Sequence, residues 1–197
     1  GPPEKTQGGG LPVGIWFSWH PVLMTLAFPC LMTLGRWVYL VESLPGQGGP
    51  PEKAQRRAAH RAVMGTAAIL CLAGYLAILL AHLPGRQFLG YDFKNHAWKE
   101  RRRVAHSLLG HALMGLVLAQ GFMGAYKLKA LKSGGERKYT FHGVLGKGIL
   151  ALGCLNALLA VWFWPWGWAM KAATTLAVLS CGTVGAFWPR PDEPGAD

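Results

Sequence analysis

The chain has 197 residues, of which 51% are hydrophobic and only 15% are charged, and its formal net charge is +11. Soluble domains carry about 25% charged residues, so this composition excludes an ordinary soluble domain and indicates a membrane protein. The basic residues lie in short segments between apolar runs rather than along one face. This excludes nucleic acid as the expected partner and favours loops that face anionic lipid headgroups.

The predicted elements are five membrane-spanning helices in an all-α membrane protein. A helix needs about 20 apolar residues to cross a bilayer. Uncharged runs near this length lie, in chain order, at residues 15–35, 62–85, 104–126, 141–170 and 172–188. Lys147 interrupts the fourth run at a depth where a long side chain can reach the interface. The fifth run is close to the lower length limit. The chain is therefore divided into a disordered N-terminal tail at 1–14, a transmembrane domain at 15–188 and a C-terminal tail at 189–197.

Local signals add detail to these helices. Pro29 lies inside the first run and is expected to kink the helix, because proline removes a backbone hydrogen bond. Four tryptophans bracket Pro165 and predict an interfacial aromatic belt at the far end of the fourth helix. The four cysteines fall inside apolar runs and form no C-x-x-C pair. They are predicted to be small core residues, and a covalently attached c-type haem is excluded because C-x-x-C-H is absent.

Histidine is the informative residue type in this sequence. Four of the seven histidines, His20, His60, His106 and His142, each lie at the N-terminal end of one of the first four predicted helices. Because successive helices alternate in direction, His20 and His106 should lie near one membrane face, and His60 and His142 near the other. About a dozen residues at about 1.5 Å each separate the two levels by roughly 20 Å.

Two neutral imidazoles that face each other across a helix bundle can hold a haem iron from both sides. Such ligation leaves no open position for oxygen, so it predicts electron transfer. The positive end of a helix favours nearby anions such as haem propionates. Glycines follow the histidines by about one turn and are expected to let a flat macrocycle approach the backbone; they are Gly65, Gly110, Gly143 and Gly146. Among the other histidines, His111 is a rival for His106, and His82 and His96 are predicted to be solvated.

Four short motifs carry a resemblance to a known family. They are WHPVLM at 19–24, AHR at 59–61 after a basic loop, HSLLG at 106–110 with Gln120 and Gly124 downstream, and FHG at 141–143 after KYT. Together they resemble the cytochrome b561 family over residues 15–188, most closely its short branch without a catecholamine-binding domain. The resemblance implies a four-helix core with two haem b groups, and an ascorbate-dependent transmembrane reductase.

The same resemblance implies that His20 pairs with His106 on the non-cytoplasmic side and His60 with His142 on the cytoplasmic side. This agrees with the pairing derived from helix direction and with an excess of Lys and Arg on the His60 side. Two features depart from the family pattern. Members of the family usually have six helices, whereas five are predicted here and the usual first helix is absent. In addition, Lys147 lies in a stretch that is usually apolar.

The resemblance further implies that cytosolic ascorbate docks on basic residues just ahead of the cytoplasmic haem ligands. The candidates are Lys53, Arg56, Arg57, Arg137 and Lys138. Ascorbate is a monoanion at neutral pH, so cations beside a haem edge would concentrate it. Ordinary loop charge that binds lipid headgroups is the alternative role for each of them. Arg36 and Arg61 are candidates for pairing with propionates instead.

The expected electron acceptor is monodehydroascorbate or a ferric chelate outside the cytoplasm. The sequence leaves open whether the membrane is the plasma membrane or an endomembrane, and whether the chain forms a homodimer.

One alternative function is an intramembrane metal or proton transporter that uses histidines, but no carboxylate lies within the five runs. A ferric reductase or oxidase of the type with two histidines about thirteen residues apart on each of two helices does not match the spacing. A haem-free structural remnant is the third alternative, motivated by the missing helix.

Overall fold

The computed structural model describes residues 13–41, 52–134 and 138–188. Within these residues, five helices are long and apolar enough to cross a membrane: Gly14–Trp37, Lys53–His82, Arg101–Gly134, His142–Phe163 and Trp168–Phe187. The predicted all-α architecture with five spans is confirmed. Residues 13 and 14 begin the first helix, and the rest of the two predicted tails lies outside the described residues.

The first span is built from three consecutive helical segments. Helix α1 covers Val13–Thr25, a π-helical segment covers Leu26–Met32, and helix α2 covers Thr33–Trp37. Pro29 lies inside the π-helical segment. Proline has no amide hydrogen and its ring crowds the preceding turn, so the hydrogen-bond pattern changes there. The expected disturbance at Pro29 takes the form of a wider turn within one continuous span.

The second and third spans are longer than their uncharged runs. Helix α3 is Lys53–His82 and helix α4 is Arg101–Gly134, with 30 and 34 residues. At about 1.5 Å per residue both exceed the roughly 30 Å hydrocarbon core, so they project beyond the membrane.

The N-terminus of α3 corrects a sequence-based expectation. Residues Lys53, Arg56 and Arg57 were predicted in the first loop, but they lie in the first turns of α3. A capping box starts the helix: the Glu52 side chain accepts from the backbone of Gln55, whose side chain accepts from the backbone of Glu52. This cap satisfies amides that would otherwise be unpaired, and Lys, Gln, Arg and Ala then continue the helix without apolar periodicity.

The fourth and fifth spans have different boundaries from those predicted. Helix α5 is His142–Phe163 and helix α6 is Trp168–Phe187. The predicted fourth helix continued to residue 170, but Trp164 is extended, with ψ of 143°. The residue before a proline is driven out of helical geometry, so Pro165 separates the two helices.

A small antiparallel sheet in the loop between α3 and α4 was not predicted. Its strands are β1 Gln87–Phe88, β2 Tyr91–Asp92 and β3 Ala97–Trp98, in the order β1-β2-β3. The side chain of Asp92, only 3% exposed, accepts hydrogen bonds from Lys99 Nζ at 2.9 Å and from Asn95. These bonds close the loop over the end of the bundle.

The spans pack mainly as pairs. Helix α1 lies along α3, and α4 lies along α5, whereas α3 and α4 make few contacts with each other. Helix α6 packs on α5 and α2, and the Phe28 ring rests against the backbone of Gly153 in α5.

All four cysteines were predicted to be core residues, and two of them, Cys71 and Cys154, are buried in the core. The prediction is wrong for Cys30, which is exposed, and Cys181 is only half-buried.

Candidate functional site

Two histidines from different helix pairs meet at one end of the bundle. His20 on α1 and His106 on α4 have ring centroids 6.2 Å apart and ring planes at 84°. The rival His111 packs elsewhere: its ring contacts Tyr75 and Phe88 at 5.2 and 5.1 Å between centroids. The structure therefore brings His20 and His106 together, and His111 lies against aromatic rings.

Three of the four predicted ligands have one ring nitrogen held by the backbone of the neighbouring helix. The Nδ1 atoms of His20, His60 and His106 lie 3.0, 2.8 and 3.0 Å from the carbonyl oxygens of Gly74, Gly35 and Asn156 respectively. A carbonyl oxygen only accepts hydrogen bonds, so each Nδ1 carries the proton. In a neutral imidazole this leaves a lone pair on Nε2, which is the form that binds a metal.

The acceptors for His20 and His60 exist because two glycines bring α1–α2 and α3 close together. A Cβ on Gly35 would lie 2.5 Å from Met64 Sδ, and one on Gly74 would lie 3.1 Å from Leu23 Cβ. Without side chains at these positions, each backbone reaches the histidine of the other helix. Both glycines are buried, and neither was among the residues predicted to form the site. Gly35 follows His20 by about four helical turns, and Gly74 follows His60 by about the same distance along its own helix. This shared spacing was the signal that the sequence offered.

His60 and His142 lie at the opposite end of the bundle from His20 and His106. They are close enough to interact electrostatically, and Lys127 is near both. The Tyr39 ring lies 5.2 Å from the His60 ring, centroid to centroid. The His142 ring packs on α4 at Gly124, where an added Cβ would lie 3.2 Å from His142 Cε1. Lys127 was not among the predicted site residues, because the candidates were the basic residues just ahead of His60 and His142.

Two carboxamide side chains also touch the histidine region. Gln120 on α4 donates from Nε2 to the backbone oxygen of His142 at 2.6 Å. Asn156 on α5 is 9% exposed. A Cβ on Gly146 would lie 2.9 Å from Gln120 Nε2, and one on Gly110 would lie 3.3 Å from Asn156 Nδ2. These two glycines therefore accommodate carboxamides rather than leaving the space that was expected for a macrocycle. Gly65 and Gly143 do face open space.

The histidines of this site suit a metal that takes most of its ligands from a cofactor rather than from the protein. Among residues 13–41, 52–134 and 138–188, no group of three or more His, Cys, Asp or Glu residues could hold a metal ion. Structural zinc takes four protein ligands, whereas haem iron needs only two axial ones. A metal–imidazole bond of about 2.0 Å, with the ring centroid about 1 Å further, separates two axial ring centroids by about 6 Å. The distance between His20 and His106 matches this separation, so these residues fit a haem.

A cationic groove lies between the start of α3 and the end of α4. This cavity of about 570 Å³ is lined by Arg61, Ala125, Leu128, Lys129, Lys132 and Ser133. Lys129 and Lys132 were placed in a loop by the sequence analysis and were not among its candidates. Their spacing of three residues, one helical turn, was the missed signal.

The predicted substrate residues that the structure describes lie around the end of the bundle that carries the cationic groove. Lys53 and Arg57 are exposed on α3. Arg56 donates from Nη1 to the Val38 backbone oxygen at 2.6 Å, which ties it to the end of the first span. Lys138 is exposed, and Arg137 lies outside the described residues.

The opposite end of the bundle combines aromatic rings with Arg103. The Phe163 ring lies 5.5 Å from the His106 ring, and the guanidinium carbon of Arg103 lies 5.5 Å from the Phe163 centroid. Phe17 stacks on Trp164 at 5.3 Å. The prediction that His82 is solvated is wrong, because it is half-buried and its ring meets Phe17 edge-on. His96 is exposed.

Comparison with known proteins identifies one matching family. A family model described as eukaryotic cytochrome b561 matches residues 19–163, which include His20, His60, His106 and His142. No curated protein and no solved structure matches the chain.

Proposed function

This chain belongs to the eukaryotic cytochrome b561 family, which transfers electrons across membranes, and we propose that it carries them from cytosolic ascorbate through two haem b groups to an acceptor on the other face. It is an integral multi-pass membrane protein. The proposed acceptor is monodehydroascorbate or a ferric chelate. The observation that carries the proposal is the approach of His20 and His106, two imidazoles at axial-ligand separation with their Nδ1 atoms held by backbone oxygens.

In this proposal, His20 and His106 hold the non-cytoplasmic haem, and His60 and His142 hold the cytoplasmic one. When bound, each haem supplies an iron that cycles between the ferric and ferrous states by one electron. The protein fixes the imidazoles for this role, because the backbone oxygens of Gly74, Gly35 and Asn156 hold three Nδ1 protons. Rings held in one orientation and tautomer need little rearrangement as the charge on a bound metal changes.

The cytoplasmic end is suited to a small anionic donor. Ascorbate loses one electron and one proton and becomes monodehydroascorbate. We propose that two groups of cations attract the ascorbate anion. The first is the predicted set, Lys53, Arg56, Arg57, Arg137 and Lys138, and the second is the cationic groove at Arg61, Lys129 and Lys132. Several like charges around a concave surface raise the local concentration of an anion. Because Arg56 already bonds to the Val38 oxygen, its role in this proposal is to shape the site rather than to contact the donor.

The acceptor end carries its own positive charge. Arg101, Arg102 and Arg103 begin α4 one turn ahead of His106, and all three are exposed. Arg103 lies over Phe163, whose ring contacts His106. An anionic ferric chelate or the monodehydroascorbate anion would be drawn to this end. Acceptance of one electron there balances the one electron that ascorbate loses.

The metal or proton transporter weighed above has less support. A metal held by side chains alone requires three or four ligands, and the part of the chain that the structure describes contains no such group. The separation of the His20 and His106 rings supports instead a pair of ligands on either side of one iron.

The proposal is tested with purified protein in sealed vesicles that hold ferricyanide inside. Ascorbate added on the side of the cationic groove should reduce the internal acceptor, with both haem b signals passing through the reduced state. His60→Ala should abolish this transfer, while His96→Ala, which changes an exposed histidine in the loop, should not. Transfer that persists in His60→Ala, or haem signals that ascorbate does not reduce, would contradict the proposal.

A further inference from the structure

Gln120 makes an unusual contact with His142, the fourth predicted ligand. Its Nε2 donates to the backbone oxygen of His142 at 2.6 Å. Two other atoms of this contact, Gln120 Oε1 and His142 Nδ1, are buried and have no hydrogen-bond partner among the described residues. A buried polar atom without a partner lowers stability, so such atoms are normally satisfied in the working state of a protein.

His142 differs in this respect from the other three histidines. His20, His60 and His106 each donate from Nδ1 to a backbone oxygen of the helix beside them. The helix beside His142 is α4, and the side chain it presents at that level is Gln120. The polar group available to the His142 Nδ1 proton is therefore a side-chain oxygen, which mutation can remove, rather than a backbone oxygen.

The two unpartnered atoms are chemically complementary. A histidine that binds a metal through Nε2 and is neutral carries its proton on Nδ1, so Nδ1 is a donor. A glutamine Oε1 accepts, while Nε2 of the same amide can continue to donate to the His142 backbone oxygen. The hydrogen bond from Gln120 Nε2 to the His142 backbone oxygen already holds this carboxamide beside His142.

We propose that Gln120 is the positioning residue for His142: its carboxamide accepts the Nδ1 proton and fixes the tautomer in which His142 binds iron. This inference rests on the proposed function, since it assigns a role toward the cytoplasmic haem. A hydrogen bond from Nδ1 to an acceptor makes the imidazole a stronger base and favours ferric over ferrous iron. Gln120 therefore tunes the haem that receives electrons from ascorbate.

The relationship between α4 and α5 supplies a matched comparison. Gln120 follows His106 by the same number of residues as Asn156 follows His142, so each helix presents a carboxamide to the ligand of the other. Each carboxamide also lies against the glycine one turn after that ligand, Gly146 or Gly110. The side-chain oxygen of Asn156 is also buried without a partner, but the Nδ1 atom of His106 already donates to the backbone oxygen of Asn156. Replacing the Asn156 side chain keeps that acceptor, whereas replacing Gln120 removes the one proposed for His142.

The test is a potentiometric titration, followed optically, of the purified 197-residue chain loaded with haem. Gln120→Leu should raise the midpoint potential of the cytoplasmic haem and weaken its retention by about 10- to 100-fold, with the other haem unchanged. Gln120→Glu keeps an acceptor of similar size, so its cytoplasmic haem should stay at or below the wild-type midpoint. Asn156→Leu should leave the midpoint of the non-cytoplasmic haem in place.

The outcomes separate this inference from the proposed function. If the wild-type chain binds no haem b, the proposed function fails. If the wild-type chain binds two haems and Gln120→Leu leaves both midpoints and the retention unchanged, only the role of Gln120 is overturned. It is also overturned if Gln120→Glu raises the midpoint, or if Asn156→Leu shifts its haem as much as Gln120→Leu does. Should Gln120→Leu not fold, a raised midpoint of the cytoplasmic haem in Gln120→Glu still overturns the role of Gln120, and an unraised one supports it.

Discussion

His20 and His106 stand on different helix pairs, yet their ring centroids are 6.2 Å apart and their planes nearly perpendicular. Each ring is anchored not to the other but to the second helix of its own pair, His20 to the Gly74 oxygen and His106 to the Asn156 oxygen. The gap between the two rings is therefore set by how the pairs α1/α3 and α4/α5 face each other. Substitutions that shift one helix within a pair should disturb the site without touching either histidine.

A bulky residue at Gly74 should damage the site of His20. In Gly74→Leu the new side chain meets Leu23 and Met24, since even a Cβ would be within 3.1–3.4 Å of them. We expect overpacking to destabilise the protein by about 1–3 kcal/mol and to withdraw the oxygen that holds His20 Nδ1. Haem content, measured by absorption, should fall at the non-cytoplasmic end. The control is Gly115→Leu on α4, where a Cβ also meets open space, and it should retain wild-type haem content.

Gly124 should be similarly restrictive at the other end of the bundle. A Cβ at this position would lie 3.2 Å from His142 Cε1, so Gly124→Leu should displace the His142 ring. Loss of the cytoplasmic haem signal, with the second haem retained, is the expected spectrum. Gly121→Leu, one turn earlier on α4 with open space around its Cβ, provides the comparison. Equal spectra for the two variants would show that the His142 ring position is not critical.

The cationic groove should govern how fast ascorbate reduces the protein. Replacing Lys129 and Lys132 together by Gln should slow reduction by about 10-fold at low ionic strength, because the attraction of the anion is weakened. The difference should shrink at about 0.15 M salt, where charges are screened beyond about 8 Å. Stopped-flow absorbance at low and high salt measures both effects. The double substitution of Arg86 and Lys94, exposed cations at the other end, changes the net charge equally and should leave the rate unaltered.

The Asp92 carboxylate should make the loop sheet sensitive to acid. Hydrogen bonds from Lys99 and then Asn95 hold the pKa of Asp92 well below its ordinary range. A carboxylate whose folded pKa is depressed stabilises the fold above its unfolded pKa, near 4, and loses that contribution as pH falls through the folded pKa. Protection of the amides of residues 87–98 against hydrogen exchange, corrected for intrinsic rates, should therefore fall below about pH 4. In Asp92→Asn, protection should already be low at pH 7 and change little on acidification.

The helix count and the histidine pairing could be predicted because both depend on simple periodic properties. An uncharged run of about 20 residues can cross a membrane only as a helix, and antiparallel spans place alternate N-termini on the same face. These two facts are enough to expect His20 near His106. No knowledge of which way each helix is rotated about its axis is needed.

The contacts around the histidines could not be predicted, because they depend on helix rotation and on close backbone approach. Gly35 and Gly74 read as ordinary membrane-helix glycines until the two backbones are seen in contact. Gln120 appeared only as part of a motif, with no sign that its amide reaches His142. The distribution of charge was also obscured: Lys127, Lys129 and Lys132 lie beyond the apolar run, so the continuation of α4 through them carried no hydrophobic signal.

Haem content in double histidine variants tests the two-pair arrangement most directly. The wild-type chain should bind two haem b groups, measured as haem per polypeptide after purification. The double variants His20→Ala/His106→Ala and His60→Ala/His142→Ala should each keep one haem, whereas His20→Ala/His60→Ala should keep none. Retention of one haem in this last variant, or loss of both haems in either of the first two, would contradict the assignment of the four histidines to two separate sites.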